Sequence, residues 1–134
     1  MQCPVCRLDL AIVELQGVEL DVCVDGHGLW FDRDELAQLF ERARVAEELA
    51  DLEQALEGLE RARSARRCPR CAGRMDQVAW RRDGAVVTLD RCPHAHGLWF
   101  DRGELEQLLR AACRGHALAR VQGFLRDYCQ GWNA

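Results

Sequence analysis

The alternation of apolar and polar positions divides the chain into two hairpins, each followed by a short helical signal, with longer amphipathic stretches behind them. Leu10 to Leu15 (LAIVEL) and Val18 to Val22 (VELDV) flank Gln16-Gly17, a dipeptide suited to a tight antiparallel turn. The same design returns with strands around Val78 to Arg81 and Val86 to Leu89, meeting at Asp83-Gly84. Behind each hairpin stands Leu-Trp-Phe-Asp, then a D-x-x-E spacing, Asp32 with Glu35 and Asp101 with Glu104, which predicts a helix N-cap and its reciprocal partner. From Arg33 to about Arg66 there is no proline and only Gly58, while Ala, Leu, Glu and Arg dominate, a pattern that predicts one long helix. Val45, Leu49, Leu52, Leu56 and Leu59 recur at spacings of 4, 3, 4 and 3, a coiled-coil-like seam. Such a helix would span roughly 50 Å and hold the two hairpin units well apart. Leu118, Val121, Leu125, Tyr128 and Trp132 repeat the spacing in the C-terminal segment, after a break at Gly115.

The two units are copies. His27 to Phe40 (HGLWFDRDELAQLF) matches His96 to Leu109 (HGLWFDRGELEQLL) at 11 of 14 positions, which marks an internal repeat. The expected division is residues 1–40 as a first unit, 41–67 as a helical linker, 68–112 as a second unit and 113–134 as a C-terminal amphipathic helix.

Each copy carries Cys and His in metal-ligand spacing. Cys3 and Cys6 are followed by Cys23 and His27, and Cys68 and Cys71 by Cys92 and His96. Tetrahedral zinc needs four soft or borderline donors, and two thiols across a tight CPxC turn supply half of such a set. The hairpin between the ligand pairs is four residues longer in the second copy, and because a hairpin returns its ends to one place, both sites tolerate the difference. Two structural Zn²⁺ ions, one per repeat, are therefore expected, with closed coordination. Gly26 and Ala95 stand where a C-x2-C knuckle would place its last sulfur, and the imidazole one residue later takes over. His94 competes with His96 for the second site, although the repeat register favours His96. A redox reading of CPVC lacks a βαβ framework. Cys113, His116 and Cys129 fall on helical faces without a fourth donor and read as buried thiols with a bystander histidine. Trp30 and Trp99 read as covers for small metal-stiffened cores, leaving Phe31 and Phe100 as candidates for a contact surface.

Composition adjusts this picture at the margins. Units of about 40 residues seldom stabilise themselves by apolar burial alone, so six of the eight cysteines in 134 residues supply the deficit through metal. The N-terminal residues resemble no signal peptide and no stretch is long and apolar enough to span a bilayer, so the expected setting is cytosolic and reducing. The formal charge of −4 conceals a gradient, since residues 1–40 carry 2 Arg against 8 acids, a net of −6. All the basic residues of the chain are Arg.

The Cys3 to Leu36 and Cys68 to Leu105 segments, CPxC, hairpin, second knuckle, then G-L-W-F-D-R-x-E-L, resemble the bacterial zinc-finger family related to the zinc ribbon of transcription factor IIB. The resemblance implies zinc binding, a ribbon fold and Cys3, Cys6, Cys23, Cys68, Cys71 and Cys92 as ligands. His27 and His96 depart from the family's commoner fourth Cys and rest on spacing as well. The expected fold class is small α+β: two zinc ribbons, each followed by a helix, joined by a long linker helix.

Three functions compete. A non-catalytic interaction scaffold or regulatory adaptor would present hairpins and Phe-Asp-Arg tips to a protein partner, and this is the expected role. Its seam would pair two chains into a homodimer or fold back on the C-terminal helix. A transcription-associated nucleic-acid binder would use Arg61, Arg63, Arg66, Arg67, Arg70, Arg74, Arg81 and Arg82 against phosphates, against the net negative charge. A zinc enzyme would need an open coordination position, which four protein donors per site deny. No small-molecule substrate and no membrane partner are expected.

Overall fold

A computed structural model describes the chain except residues 16, 43, 46, 48, 50, 51, 53–55, 114, 120, 121 and 124–134, and describes 15 and 57–63 by backbone alone. The first repeat forms β1 (Ala11–Leu15), β2 (Val18–Val22), β3 (Gly28–Asp32) and α1 (Glu35–Arg42). There follow β4 (Glu57–Arg67) and the second repeat, β5 (Arg74–Arg82), β6 (Ala85–Arg91), β7 (Gly97–Asp101) and α2 (Glu104–Ala112). Both hairpins form where the alternation places them, with Asp83 and Gly84 at positive φ of 51° and 84° in the second turn.

The two ribbons are not separate. All seven strands join one antiparallel sheet in the order β1-β2-β3-β7-β6-β5-β4. Its middle is β3 against β7, the two copies of Gly-Leu-Trp-Phe-Asp, in the register Gly28↔Asp101, Leu29↔Phe100, Trp30↔Trp99, Phe31↔Leu98 and Asp32↔Gly97. Trp30 faces its own repeat equivalent, so the junction is symmetric about that pair. Reciprocal backbone bonds extend it, Arg33 N–H to the His96 carbonyl and Arg102 N–H to the His27 carbonyl, each 3.0 Å.

Strand alternation sends neighbouring residues to opposite faces. Leu29, Phe31, Leu98 and Phe100 enter a large apolar core with α1, α2, Trp80 and Leu89, whereas Trp30 and Trp99 enter a second cluster with Cys3, Cys23, Cys68, Met75 and Cys92. Phe31 and Phe100 are 1% and 0% exposed and meet edge to face at 5.4 Å between ring centroids. They are core residues and offer no contact surface, because the period of two forces them inward once the tryptophans take the other face.

The long linker helix does not form. α1 stops at Arg42, Arg44 turns left-handed at φ 60°, and the Arg44 and Val45 amides donate back to the Glu41 and Phe40 carbonyls at 3.1 and 2.9 Å. This is a Schellman closure, with Val45 and Phe40 buried in the same core. Val45, Leu49, Leu52 and Leu56 are all buried in that core within the single chain, so this part of the seam packs internally. The side chain of Leu59 lies outside the described residues. Residues 57–67, expected as the end of the helix, form β4 instead and add to the edge of β5. Residues 115–119 are helical with Ala117 buried, and Val121, Leu125, Tyr128 and Trp132 fall outside the described residues. No helix among the described residues is long and apolar enough to cross a membrane.

The central pairing demands glycine at two points. A Cβ on Gly28 would lie 2.3 Å from the Phe100 carbonyl and 2.5 Å from the Trp99 indole, and one on Gly97 would lie 2.0 Å from the Phe31 carbonyl and 2.8 Å from the Trp30 indole. Each tryptophan thus lies across the glycine of the other repeat. Gly28→Ala or Gly97→Ala should cost about 1–3 kcal/mol in the zinc-loaded protein by forcing the two halves apart, measured by denaturant unfolding. Gly123→Ala, with no atom within 4 Å of the added carbon, serves as control, and equal costs at all three positions would refute the account.

Candidate metal centres

Two knuckles converge at each site, and each is a tight turn. In the CPxC turns the Arg7 amide returns to the Cys3 carbonyl at 2.9 Å and the Ala72 amide to the Cys68 carbonyl at 2.8 Å, with Arg7 and Ala72 left-handed at φ 67° and 60°. In the second knuckles Gly26 and Ala95 return to the Cys23 and Cys92 carbonyls at 3.0 and 3.1 Å, with φ 80° and 62°. These residues occupy the place of the missing fourth cysteine. Their left-handed backbone carries the chain onward so that the next residue, His27 or His96, turns its ring toward the sulfurs.

The donors of Cys3, Cys6, Cys23 and His27 lie within 4.8 Å of one another, as do those of Cys68, Cys71, Cys92 and His96. Sulfurs at the vertices of a zinc tetrahedron with bonds of about 2.3 Å stand about 3.8 Å apart. Cys6 and Cys23 Sγ are 3.6 Å apart and Cys71 and Cys92 Sγ 3.8 Å, while Nδ1 lies 3.3 Å from the second-knuckle sulfur in both copies. Three thiols and an imidazole nitrogen at these separations fit zinc in both sites. His94 is exposed and outside the group, its ring 6.2 Å from that of His96, so His96 completes the second set. Cys113 is buried in the apolar core and His116 is exposed, while Cys129 lies outside the described residues.

The thiols are prepared unequally for ionisation. Burial pushes Cys3 up to about 11 and Cys68 up to about 12, although amides of Val5 and Arg70 donate to their sulfurs at 3.3 Å. Burial opposes ionisation of Cys23 as well, but hydrogen bonds from the His27 backbone and ring outweigh it and bring that thiol down to about 7. A divalent cation would hold all three sulfurs as thiolates by displacing protons, which couples metal affinity to pH.

The metal cluster is tied to the helices by a relay that the D-x-x-E spacing only half reveals. Trp30 Nε1–H donates to Asp32 Oδ1 at 2.8 Å and Trp99 Nε1–H to Asp101 Oδ1 at 3.0 Å. The Asp32 and Asp101 amides donate to Glu35 and Glu104 at 2.9 and 2.8 Å. The aspartates therefore end strands and satisfy indoles, and they are not the helix N-caps that the spacing suggests. The residue before α2 is Gly103 at φ 89° with no side-chain cap, and Asp34 stands before α1 at φ 74°.

Two arginines close the relay, one of them across the repeats. Arg70, in the second CPxC turn, donates to both carboxylate oxygens of Asp32 in the first repeat, and its Nη2 contact is 2.6 Å. Its guanidinium is the main reason Asp32 lies below its usual range. Arg66 reaches Asp101 at 2.5 Å and Asp90 at 3.4 Å, and Asp90 is only 3% exposed. Asp21 and Asp90, equivalent residues beside the tryptophans on β2 and β6, are both raised by burial. The carboxylates of Asp21, Asp32 and Glu35 lie within 4.8 Å of one another, a cluster that Arg70 and the Asp32 amide engage. Arg66 and Arg70 were candidates for phosphate contact by sequence; no local pattern links them to acids 24 to 38 residues away.

Two outcomes follow. The protein should carry two zinc ions per chain by elemental analysis, His96→Ala should lower that to about one, and His94→Ala should leave it at two; loss of an ion in His94→Ala would overturn the assignment. Glu104 is raised by burial to about 7 from an ordinary 4.5. Below the lower value the proton is bound in both folded and unfolded chains, and between 4.5 and 7 only the folded chain keeps it, so its contribution is lost as pH rises through that window. Glu104→Gln preserves an acceptor for the Asp101 amide and removes the buried charge. It should stabilise the protein on the order of 1–3 kcal/mol at pH 8, with the gain shrinking toward pH 6; a pH-independent difference in unfolding free energy would refute the cause.

No curated protein and no solved structure matches the chain. The transcription factor zinc-finger family, defined on the zinc ribbon of transcription factor IIB, matches it twice, over residues 2–42 and 67–111. These regions hold one complete ligand set each and together take in well over half of the 134 residues. With its ribbons laid edge to edge through the Trp30 and Trp99 strands, the chain belongs to the transcription factor zinc-finger family as a tandem pair of zinc ribbons.

Proposed function

We propose that the protein is a non-catalytic, zinc-dependent scaffold or regulatory adaptor that binds a protein partner in a reducing, cytosolic setting. The observation that carries this reading is the placement of the metal groups. Each has four protein donors, and two cysteines of each set, Cys3 with Cys23 and Cys68 with Cys92, are buried in one cluster with the Trp30 and Trp99 indoles at the centre of the sheet. A catalytic zinc keeps one position for water or substrate and sets a general base beside it. Here the donor sets are complete and the nearby carboxylates of Asp32 and Asp101 are engaged by indole and guanidinium. The ions are spent on rigidity, and what remains for function is surface.

The family's description favours a second reading, nucleic-acid binding in transcription. Its electrostatic basis is weakened by Arg66 and Arg70, whose guanidiniums are engaged by Asp90, Asp101 and Asp32. X-ray absorption on the zinc-loaded protein should report three sulfur neighbours and one nitrogen per ion. An oxygen neighbour in either site would overturn the non-catalytic assignment, and duplex or single-stranded DNA binding that falls steeply with salt would move the reading to nucleic acid.

A further inference from the structure

Among the described residues β1 and β4 are the outer strands of the sheet, and they are built differently. β4 pairs with β5 through two register shifts and carries Arg63, Arg66 and Arg67. Irregular pairing and cations are the usual means by which an edge refuses another strand. β1 has neither. It runs in unbroken register from Ala11↔Val22 to Leu15↔Val18, with Glu14 its one charge and no proline or lysine, and the N-terminal residues pair with the chain only just before it, where the Leu10 N–H goes to the Met1 carbonyl at 2.8 Å.

The phase of β1 follows from its neighbour. Cys23 gives its N–H to the Gly28 carbonyl, toward the β3 side, so Val18, Leu20 and Val22 direct their peptide groups toward β1, where Leu15, Val13 and Ala11 meet them. The intervening residues, Ile12 and Glu14, turn their N–H and C=O groups away from the sheet. Their side chains share the face of the metal cluster, and Ile12 is 69% exposed; Val13, on the other face, is 37% exposed.

Charge selects the occupant. Residues 1–40 carry a net of −6, and Glu14 stands directly opposite Glu19 on β2. Like charges paired across strands are unfavourable, and cations laid against both would relieve them. A second β1 strand would instead bring another Glu14 to this edge, so self-pairing is opposed.

We infer that the β1 edge accepts an extended basic segment of a partner protein as an eighth strand. Its alternate Arg or Lys residues lie on the Glu14 and Glu19 face with their aliphatic stems over Ile12, and its apolar residues lie against Val13. This rests on the adaptor reading and gives it a surface and a partner chemistry.

The test uses the full zinc-loaded chain and a short fluorescent peptide alternating Arg and Val, with two comparison peptides: the same sequence N-methylated at alternate amides, and one alternating Glu and Val. The Arg peptide should bind, with hydrogen-exchange protection gained at the Ile12 and Glu14 amides. N-methylation and Glu14→Arg should each weaken binding by about tenfold or more, and the Glu peptide should not bind. Ile12→Pro removes only an outward donor, which an edge strand tolerates, and should abolish binding while the near-ultraviolet dichroism of the buried tryptophans is retained. Binding indifferent to N-methylation, protection elsewhere, or association of the chain with itself at β1 would overturn the inference. A host protein retained equally by wild type and Ile12→Pro would overturn this surface while leaving the adaptor reading standing.

Discussion

The structure depends on one pairing, in which β3 and β7, identical in sequence, run antiparallel with Trp30 opposite Trp99. Each ribbon alone is a three-stranded sheet of a size that buries too little to be stable without help. Joined through this pair, they acquire a continuous sheet whose one face supports a shared apolar core and whose other face gathers both tryptophans with the cysteines. The Gly28 and Gly97 positions permit the approach, since a side chain at either would meet the opposite backbone.

Metal and packing are consequently not separable contributions. Zinc-ligand cysteines Cys3, Cys23, Cys68 and Cys92 share one cluster with the indoles, the indoles donate to Asp32 and Asp101, and the amides of those aspartates donate to the first residue of each helix. Arg70 and Arg66 then bind those same carboxylates, with Arg70 reaching from one repeat to the other. Order at the metal reaches the helices through hydrogen bonds whose partners are partly buried. The cost appears at Glu104, a carboxyl that burial holds near neutrality.

What sequence made legible was local. Ligand sets, hairpins and turns are written in short spacings: CPxC, Asp83-Gly84, alternating valines. The choice of His96 over His94 followed from repeat register, and the structure keeps it. The covering role of the tryptophans was also legible. The linker was not, because spacings of 4 and 3 at Val45, Leu49, Leu52 and Leu56 describe any segment that touches a core at that rhythm, and the stop after α1 uses Arg44 where glycine would have announced it. β4 is poor in β-branched residues, and its strand state is imposed by the edge of β5 rather than by propensity. The burial of Phe31 and Phe100 could not be anticipated from units considered singly, since it is created by their union.

The symmetric register of β3 and β7 has a consequence for assembly. A strand that pairs with its own copy about a single residue is one that two unlinked molecules could share. Tethering the halves makes that encounter intramolecular and independent of concentration. It also frees the halves from identity: one is strongly acidic with a short hairpin, while the other carries a slight positive charge and a longer one.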